Sequence, residues 1–94
     1  MRDYEVIFIA HPDLDETALT GVVEKVKGWI TEMGGTISKA DVWGKKRMSH
    51  TIRKQRDGQY VYLQTKMVPS SCAELERNLR FLEPVLRFLI VAVE

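Results

Sequence analysis

Lys45, Lys46, Arg47, Arg53, Lys54 and Arg56 crowd into the stretch Trp43–Gly58, where the one acid is Asp57. Cations packed this closely neutralise closely spaced negative charges. The expected partner is a polyanion, RNA or DNA being the commonest. The whole chain has a formal net charge of only +1, so the remainder is net acidic and the positive charge is a local device. Edge protection is the alternative use, because lysine blunts a sheet edge against unwanted pairing. This many cations beside one acid exceed that need. His50 lies in the same stretch and is open to phosphate or base contact, or to a structural role. Trp43, ahead of Gly44, is expected to pack beside a backbone bulge; stacking on a base is its alternative role.

No other chemistry assembles. The histidines are His11 and His50, and the single cysteine is Cys72. Cys72 falls on the apolar stripe of a predicted helix, which makes it a core residue, not a nucleophile. One cysteine excludes an internal disulfide and a cysteine metal cluster, and no ligand spacing fits a metal. Asp13, Asp15 and Glu16 are close together, but they sit at a predicted helix start, where acids oppose the helix dipole. Gly34-Gly35 follows a helix instead of opening one, so neither a phosphate loop nor a dinucleotide fingerprint is present. The expectation is a protein without catalysis, cofactor or metal.

The residues that must position the basic stretch read clearly. The chain has 94 residues, 45% of them hydrophobic, which predicts a single globular domain over residues 1–94. No apolar run is long enough to span a bilayer. The opening Met1–Glu5 leads directly into a strand, so no signal or transit peptide is expected, and a reducing cytoplasm is the expected compartment. Tyr4–Ala10 reads as a strand that His11-Pro12 ends. Asp15 caps a helix, with Leu14 and Leu19 as a hydrophobic staple. Its apolar face is Leu19, Val22, Val23, Val26, Ile30 and Met33, and Gly34-Gly35 stops it. Thr36 to about Ile52 is a long strand broken near Gly44. Gln55–Gly58 reads as a turn, and Tyr60–Met67 as the next strand. Ser71 and Glu74 form a predicted capping box for a second helix with the stripe Cys72, Leu75, Leu79 and Leu82. Pro84 ends that helix, and Val85–Val93 is the last strand.

The order strand, helix, strand, strand, helix, strand predicts an α+β fold. It is the ferredoxin-like βαββαβ sandwich, a four-stranded antiparallel sheet with two helices on one face. The other face is then open. Alternation puts Val6, Phe8 and Ala10, and Val61, Leu63, Thr65 and Met67, under the helices. In the last strand Val85, Arg87, Leu89, Val91 and Val93 take the open side, because a buried unpaired charge is costly. Ile7, Ile9, Tyr60, Tyr62, Leu89 and Val91 therefore form an exposed apolar surface where a partner is expected to dock. Strands that carry β-branched residues on both faces without any partner are the alternative. RNA-recognition modules share this topology, but their glycine-aromatic signature is absent.

Four segments together give a resemblance. Met1-Arg2-Asp3-Tyr4-Glu5, His11-Pro12-Asp13-Leu14, Trp43-Gly44-Lys45-Lys46-Arg47-Met48 with Ile52 and Lys54, and Leu79-Arg80-Phe81 with Val85-Leu86-Arg87 occur in the order and spacing of one family. The chain resembles the bacterial small-subunit ribosomal protein six family over its whole length. Ser49-His50-Thr51 stand where that family usually reads Ala-Tyr-Pro. The chain stops at Glu94, without the tail of many members, and Glu94 itself stands where a basic residue is common. The resemblance implies a structural role in the small ribosomal subunit. It also implies binding to the central domain of small-subunit rRNA as a heterodimer with the small basic ribosomal protein eighteen. It implies no membrane and no small-molecule substrate. Arg2, Lys45, Lys46, Arg47, Lys54, Arg80 and Arg87 are the RNA-binding positions it carries over; Arg53 and Arg56 join them on charge grounds. Two alternatives on the same topology are a regulatory or metabolite-binding module and an acylphosphatase-type enzyme. The first lacks convergent polar groups. In the second, Pro12 and Asp13 replace the backbone donors that an anion-cradling loop needs.

Overall fold

The computed structural model describes residues 1–93; Glu94 and its expected effect on RNA contact lie outside the described residues. The elements run β1 Arg2–Ala10, α1 Glu16–Glu32, β2 Thr36–Ile52, β3 Gln55–Met67, α2 Pro69–Phe81 and β4 Val85–Ala92. The strands form one antiparallel sheet in the order β2-β3-β1-β4. This is the predicted βαββαβ arrangement. No helix among the described residues is long and apolar enough to cross a membrane.

The central pair β1 and β3 supplies the covered face. Phe8 lies opposite Val61 and Val6 opposite Leu63, and all four are fully buried. Val26 and Ile30 of α1 and Leu75 and Leu79 of α2 complete this core. Each large apolar side chain so buried contributes roughly 2 kcal/mol over exposure. α1 starts as its sequence dictates: the Asp15 carboxylate accepts a hydrogen bond from the Ala18 amide at 2.7 Å. Gln59 then pins the β1–α1 turn from β3, donating to the carbonyls of His11 and Leu14 at 3.1 and 2.9 Å.

Three expectations need correction. The β2–β3 turn is not at Gln55–Gly58. Ile52 pairs with Gln55, so Arg53 and Lys54 make the turn, with φ of 50° and 65°. The glycine at 58 serves packing instead: a Cβ there would clash with Ile9 Cγ2. The second correction concerns α2, which has no Ser71 cap. It starts earlier, at Pro69, with Val68 in the cap position and no side-chain cap bond. Proline is pre-set for the first helical position, where its missing donor costs nothing. Ser71 therefore sits inside the helix, buried on the stripe of Leu75 and Leu79. The third concerns Val85, which is in the core and not on the open face. Ile9 pairs with Arg87 but Ala10 with Val85, skipping Leu86, and that irregularity resets the alternation.

The close approach at Gly58 makes a test. Gly58→Ala is expected to destabilise the fold by about 1–3 kcal/mol, because Ile9 must leave its position. Gly21→Ala, mid-helix with open space around the new Cβ, is expected to stabilise by about 0.5–1 kcal/mol. Urea unfolding of both variants checks the contrast. Equal effects would mean that the Gly58 contact carries no packing energy.

Candidate nucleic-acid interface

The basic stretch forms the distal half of the β2–β3 hairpin, and a bulge decides which way its side chains point. Val42 lies opposite Val61, and the next register pair is Gly44 with Tyr60, so Trp43 is the extra residue. Gly44 takes a φ of 91°, a conformation that glycine adopts without steric cost. Directly opposed residues share a face. The bulge therefore brings Trp43 and Lys46 to the same, open face, although their spacing in a regular strand would put them on opposite faces. Trp43 stacks on Tyr62 with centroids 5.2 Å apart and planes within 10°. Lys46 Nζ lies 5.2 Å from the Trp43 ring centroid, a cation–π contact. Below this stack, the Tyr62 hydroxyl donates to the Glu5 carboxylate and accepts from Gln64 Nε2. The bond to Glu5 holds the phenol pKa above its ordinary value, with smaller help from desolvation and against the bond from Gln64.

Lys45 lies opposite Gln59 and Arg47 opposite Asp57, on the hairpin face that Lys46 does not share. Among the described residues, none of the six hairpin cations forms an ion pair, and neither does Arg87. Of the seven cations elsewhere, four are partnered, Lys27 with Glu24, Lys39 with Asp41, Lys66 with Asp3 and Arg80 with Glu76, whereas Arg2, Lys25 and Arg77 form no ion pair among the described residues. Arg53 is exposed but engaged, donating from Nη1 to the Glu83 carbonyl at 2.8 Å.

The fold gathers most of the expected positions. Arg87 is opposite Ile9, which is opposite Tyr60, itself opposite Gly44. Arg87 thus shares the open face with the base of the hairpin. Two positions lie elsewhere. Arg2 is at the far end of β1, about 26 Å from Ala10 at 3.3 Å per residue. Arg80 is on α2, paired with Glu76 at 3.0 Å. His50 is exposed on the hairpin, whereas His11 Nδ1 accepts from the Asp13 amide at 3.1 Å as a turn residue.

The apolar open face is contiguous. Ile7 lies between Tyr62 and Leu89, and Ile9 between Tyr60 and Arg87. A shallow hollow of about 200 Å³ runs along Ile7, Ile9, Tyr60, Arg87, Phe88 and Leu89. Leu89 is 55% exposed and Val91 39%. Tyr62 is only 8% exposed, whereas Trp43 above it is 44% exposed, so Trp43 is the aromatic that the surface presents. Trp43 was legible as a bulge residue, but its stacking partner lies in another strand and left no local signal. No cluster of three or more metal-ligating side chains occurs among the described residues, and Cys72 packs against the core.

Comparison with known proteins agrees with this fold. The family described as Ribosomal protein S6 matches residues 3–92. The small ribosomal subunit protein bS6 of Moorella thermoacetica is 47% identical, covering 100% of this chain and 96% of that protein. The bS6 protein of Carboxydothermus hydrogenoformans is 38% identical over 97% of this chain and 95% of its own length. The crystal structure of 30S ribosomal protein S6 from Thermotoga maritima superposes with a TM-score of 0.92 at 28% identity, covering 98% of this chain and 87% of that one. A hydantoinase/carbamoylase-family amidase from Burkholderia multivorans has a TM-score of 0.54 at 14% identity over 27% of its length, a likeness of fold alone. With a family match across nearly all its residues, the chain belongs to the ribosomal protein S6 family, a structural and non-enzymatic component of the small ribosomal subunit.

Proposed function

We propose that residues 1–94 act as one domain that binds the central domain of small-subunit rRNA through the β2–β3 hairpin. It does so as a heterodimer with the small basic ribosomal protein eighteen, in cytoplasmic ribosomes. One observation carries this reading: the unpaired cations of the hairpin adjoin the open apolar face, so a polyanion surface and a protein-docking surface meet at Arg87 and Tyr60. Lys45, Lys46, Arg47, Lys54, Arg56 and Arg87 contact phosphates and set the salt dependence. Arg2, at the end of β1 far from the hairpin tip, serves a separate RNA contact, and Arg80, three residues before the Glu83 that Arg53 reaches, serves one beside the tip. Ile7, Ile9, Tyr60, Leu89 and Val91 take the protein partner, with Tyr62 acting through Trp43. The hollow beside Arg87 offers one cation and apolar walls, which is too little convergent polarity for a metabolite.

Charge and docking are separable by mutation. Replacing Lys45, Lys46 and Arg47 with alanine is expected to leave stability within about 0.5 kcal/mol, since these cations make no ion pair. It is expected to weaken rRNA assembly and to reduce the slope of log K against log salt by roughly 2–3. Filter binding of an rRNA fragment at several salt concentrations measures it; an unchanged slope means the hairpin is merely a solvated edge. Leu89→Glu or Val91→Glu is expected to give a folded monomer that no longer forms the heterodimer, checked by circular dichroism and analytical ultracentrifugation. Retained pairing would clear this face of any docking role.

The two surfaces also predict linkage. Isolated protein is expected to bind the central-domain fragment weakly at physiological salt, and the partner to strengthen binding by a coupling of about 1–3 kcal/mol. The RNA must then strengthen the heterodimer equally. Titrations with each protein and with both decide this, and tight binding by this chain alone points instead to an autonomous RNA-binding module.

A further inference from the structure

We propose that the Arg53–Lys54 turn is a braced and conformationally costly RNA contact: Arg53 positions the hairpin tip, and Lys54 is the cation so presented. The proposal rests on the RNA-binding reading above and deepens it. Both turn residues have positive φ, 50° and 65°, between the paired residues Ile52 and Gln55. A two-residue hairpin turn of this kind favours Asn-Gly or Asp-Gly, because side chains disfavour left-handed backbone. This chain places an arginine and a lysine there. It has an Asp-Gly pair nearby, at Asp57-Gly58, but Gly58 is packed beneath Ile9 and cannot serve as the turn.

The tip also lacks continuous support. Pairing is irregular between Arg47 and Ile52, so the sheet ladder does not carry evenly to the turn. Two contacts hold this segment. Met48 is buried over Gly58, and Arg53 Nη1 donates to the Glu83 carbonyl at 2.8 Å, joining residues 30 apart in sequence. That bond ties the tip to the segment between α2 and β4. It also leaves the other guanidinium N–H groups able to meet phosphate. Backbone cost persists where it serves a function, and what this turn secures is a pair of cations at a fixed place.

Three variants of the full chain separate the brace from simple charge: Arg53→Ala, Lys54→Ala and the double change Arg53→Asn with Lys54→Gly. The readouts are amide hydrogen exchange at Gln55–Asp57 in the free protein, the thermal midpoint, and affinity for a central-domain rRNA fragment with the partner protein present. Lys54→Ala is expected to leave exchange unchanged, lower affinity about threefold at 200 mM salt, and reduce the salt slope by about one. Arg53→Ala removes the same charge, yet is expected to speed tip exchange about tenfold and to lower affinity by about tenfold or more. The double variant also loses the exposed bond to Glu83, but relief of left-handed backbone at two positions outweighs it, so it is expected to raise the thermal midpoint while still losing affinity. Identical exchange and affinity for the two alanine variants overturn the brace. A double variant that binds like wild type, or whose midpoint does not rise, overturns the link between backbone cost and function. Absence of RNA binding by the wild type even with its partner sinks the RNA reading itself, while exchange and midpoint in the free protein still decide the brace.

Discussion

Two helices cover one face of a four-stranded sheet, and the described residues hold no further element for the other. Every other feature of the molecule adjusts to that asymmetry. On the covered face, Val6, Phe8, Val61 and Leu63 are completely buried and fix the register of the central strands. On the open face the same strands must carry side chains that tolerate water without splitting the sheet. Tyr62 is the clearest compromise. Its ring is shielded by Trp43, while its hydroxyl is satisfied by Glu5 and Gln64. A polar network set among apolar neighbours fixes orientation more than it adds stability. Leu89 and Val91 find no such shield among the described residues and stay exposed.

The bulge at Gly44 converts this unfinished face into a directed one. One extra residue in β2 brings Trp43 and Lys46 to the same side, next to the apolar strip and not opposite it. Bulges commonly re-aim side chains in this manner at functional edges. The result is a hairpin whose cations look two ways. Lys46 adjoins the open apolar strip, while Lys45 and Arg47 occupy the reverse side. One short strand segment can then serve two partners without either displacing the other.

Much of this was legible from residue order. The α1 period, the Asp15 cap, the alternation of β1 and β3 and the break at Gly44 each arise from local chemistry, so local reading recovered them. The failures share a cause. Gly58 looked like a turn residue because glycine beside aspartate usually is one, but its use was set by Ile9, far away in sequence. Ser71 matched a capping pattern, yet Pro69 two residues earlier claimed the helix start. Val85 obeyed strict alternation on paper and escaped it through an irregular pairing with β1. In each case a contact across the fold, or a stronger neighbour, overruled a valid local preference. The site showed the same division: the charge cluster was visible in sequence, whereas the stack of Lys46, Trp43 and Tyr62 and the bond from Arg53 to Glu83 were not.

Charge balance favours the proposed sharing of RNA with a partner over binding by this chain alone. The net charge is +1, so attraction to phosphate comes only from the separation of cations and acids. The molecule is elongated, 36 Å along its longest axis, and the screening length at physiological salt is about 8 Å. Acids at the far end of the sheet, such as Asp3, are therefore largely hidden from a phosphate at the hairpin tip, whereas Asp57 and Glu83 lie close to it. The number of cations is a further limit. About six phosphate contacts, as proposed, would lose on the order of 10³ in affinity between 50 and 200 mM salt, which leaves little margin at physiological salt. In the proposed heterodimer, a partner seated on Leu89 and Val91 would add apolar burial, which salt does not screen, and would bring its own cations next to Arg87. A docking face set against the basic hairpin would thus supply the salt-resistant affinity that the cations alone cannot.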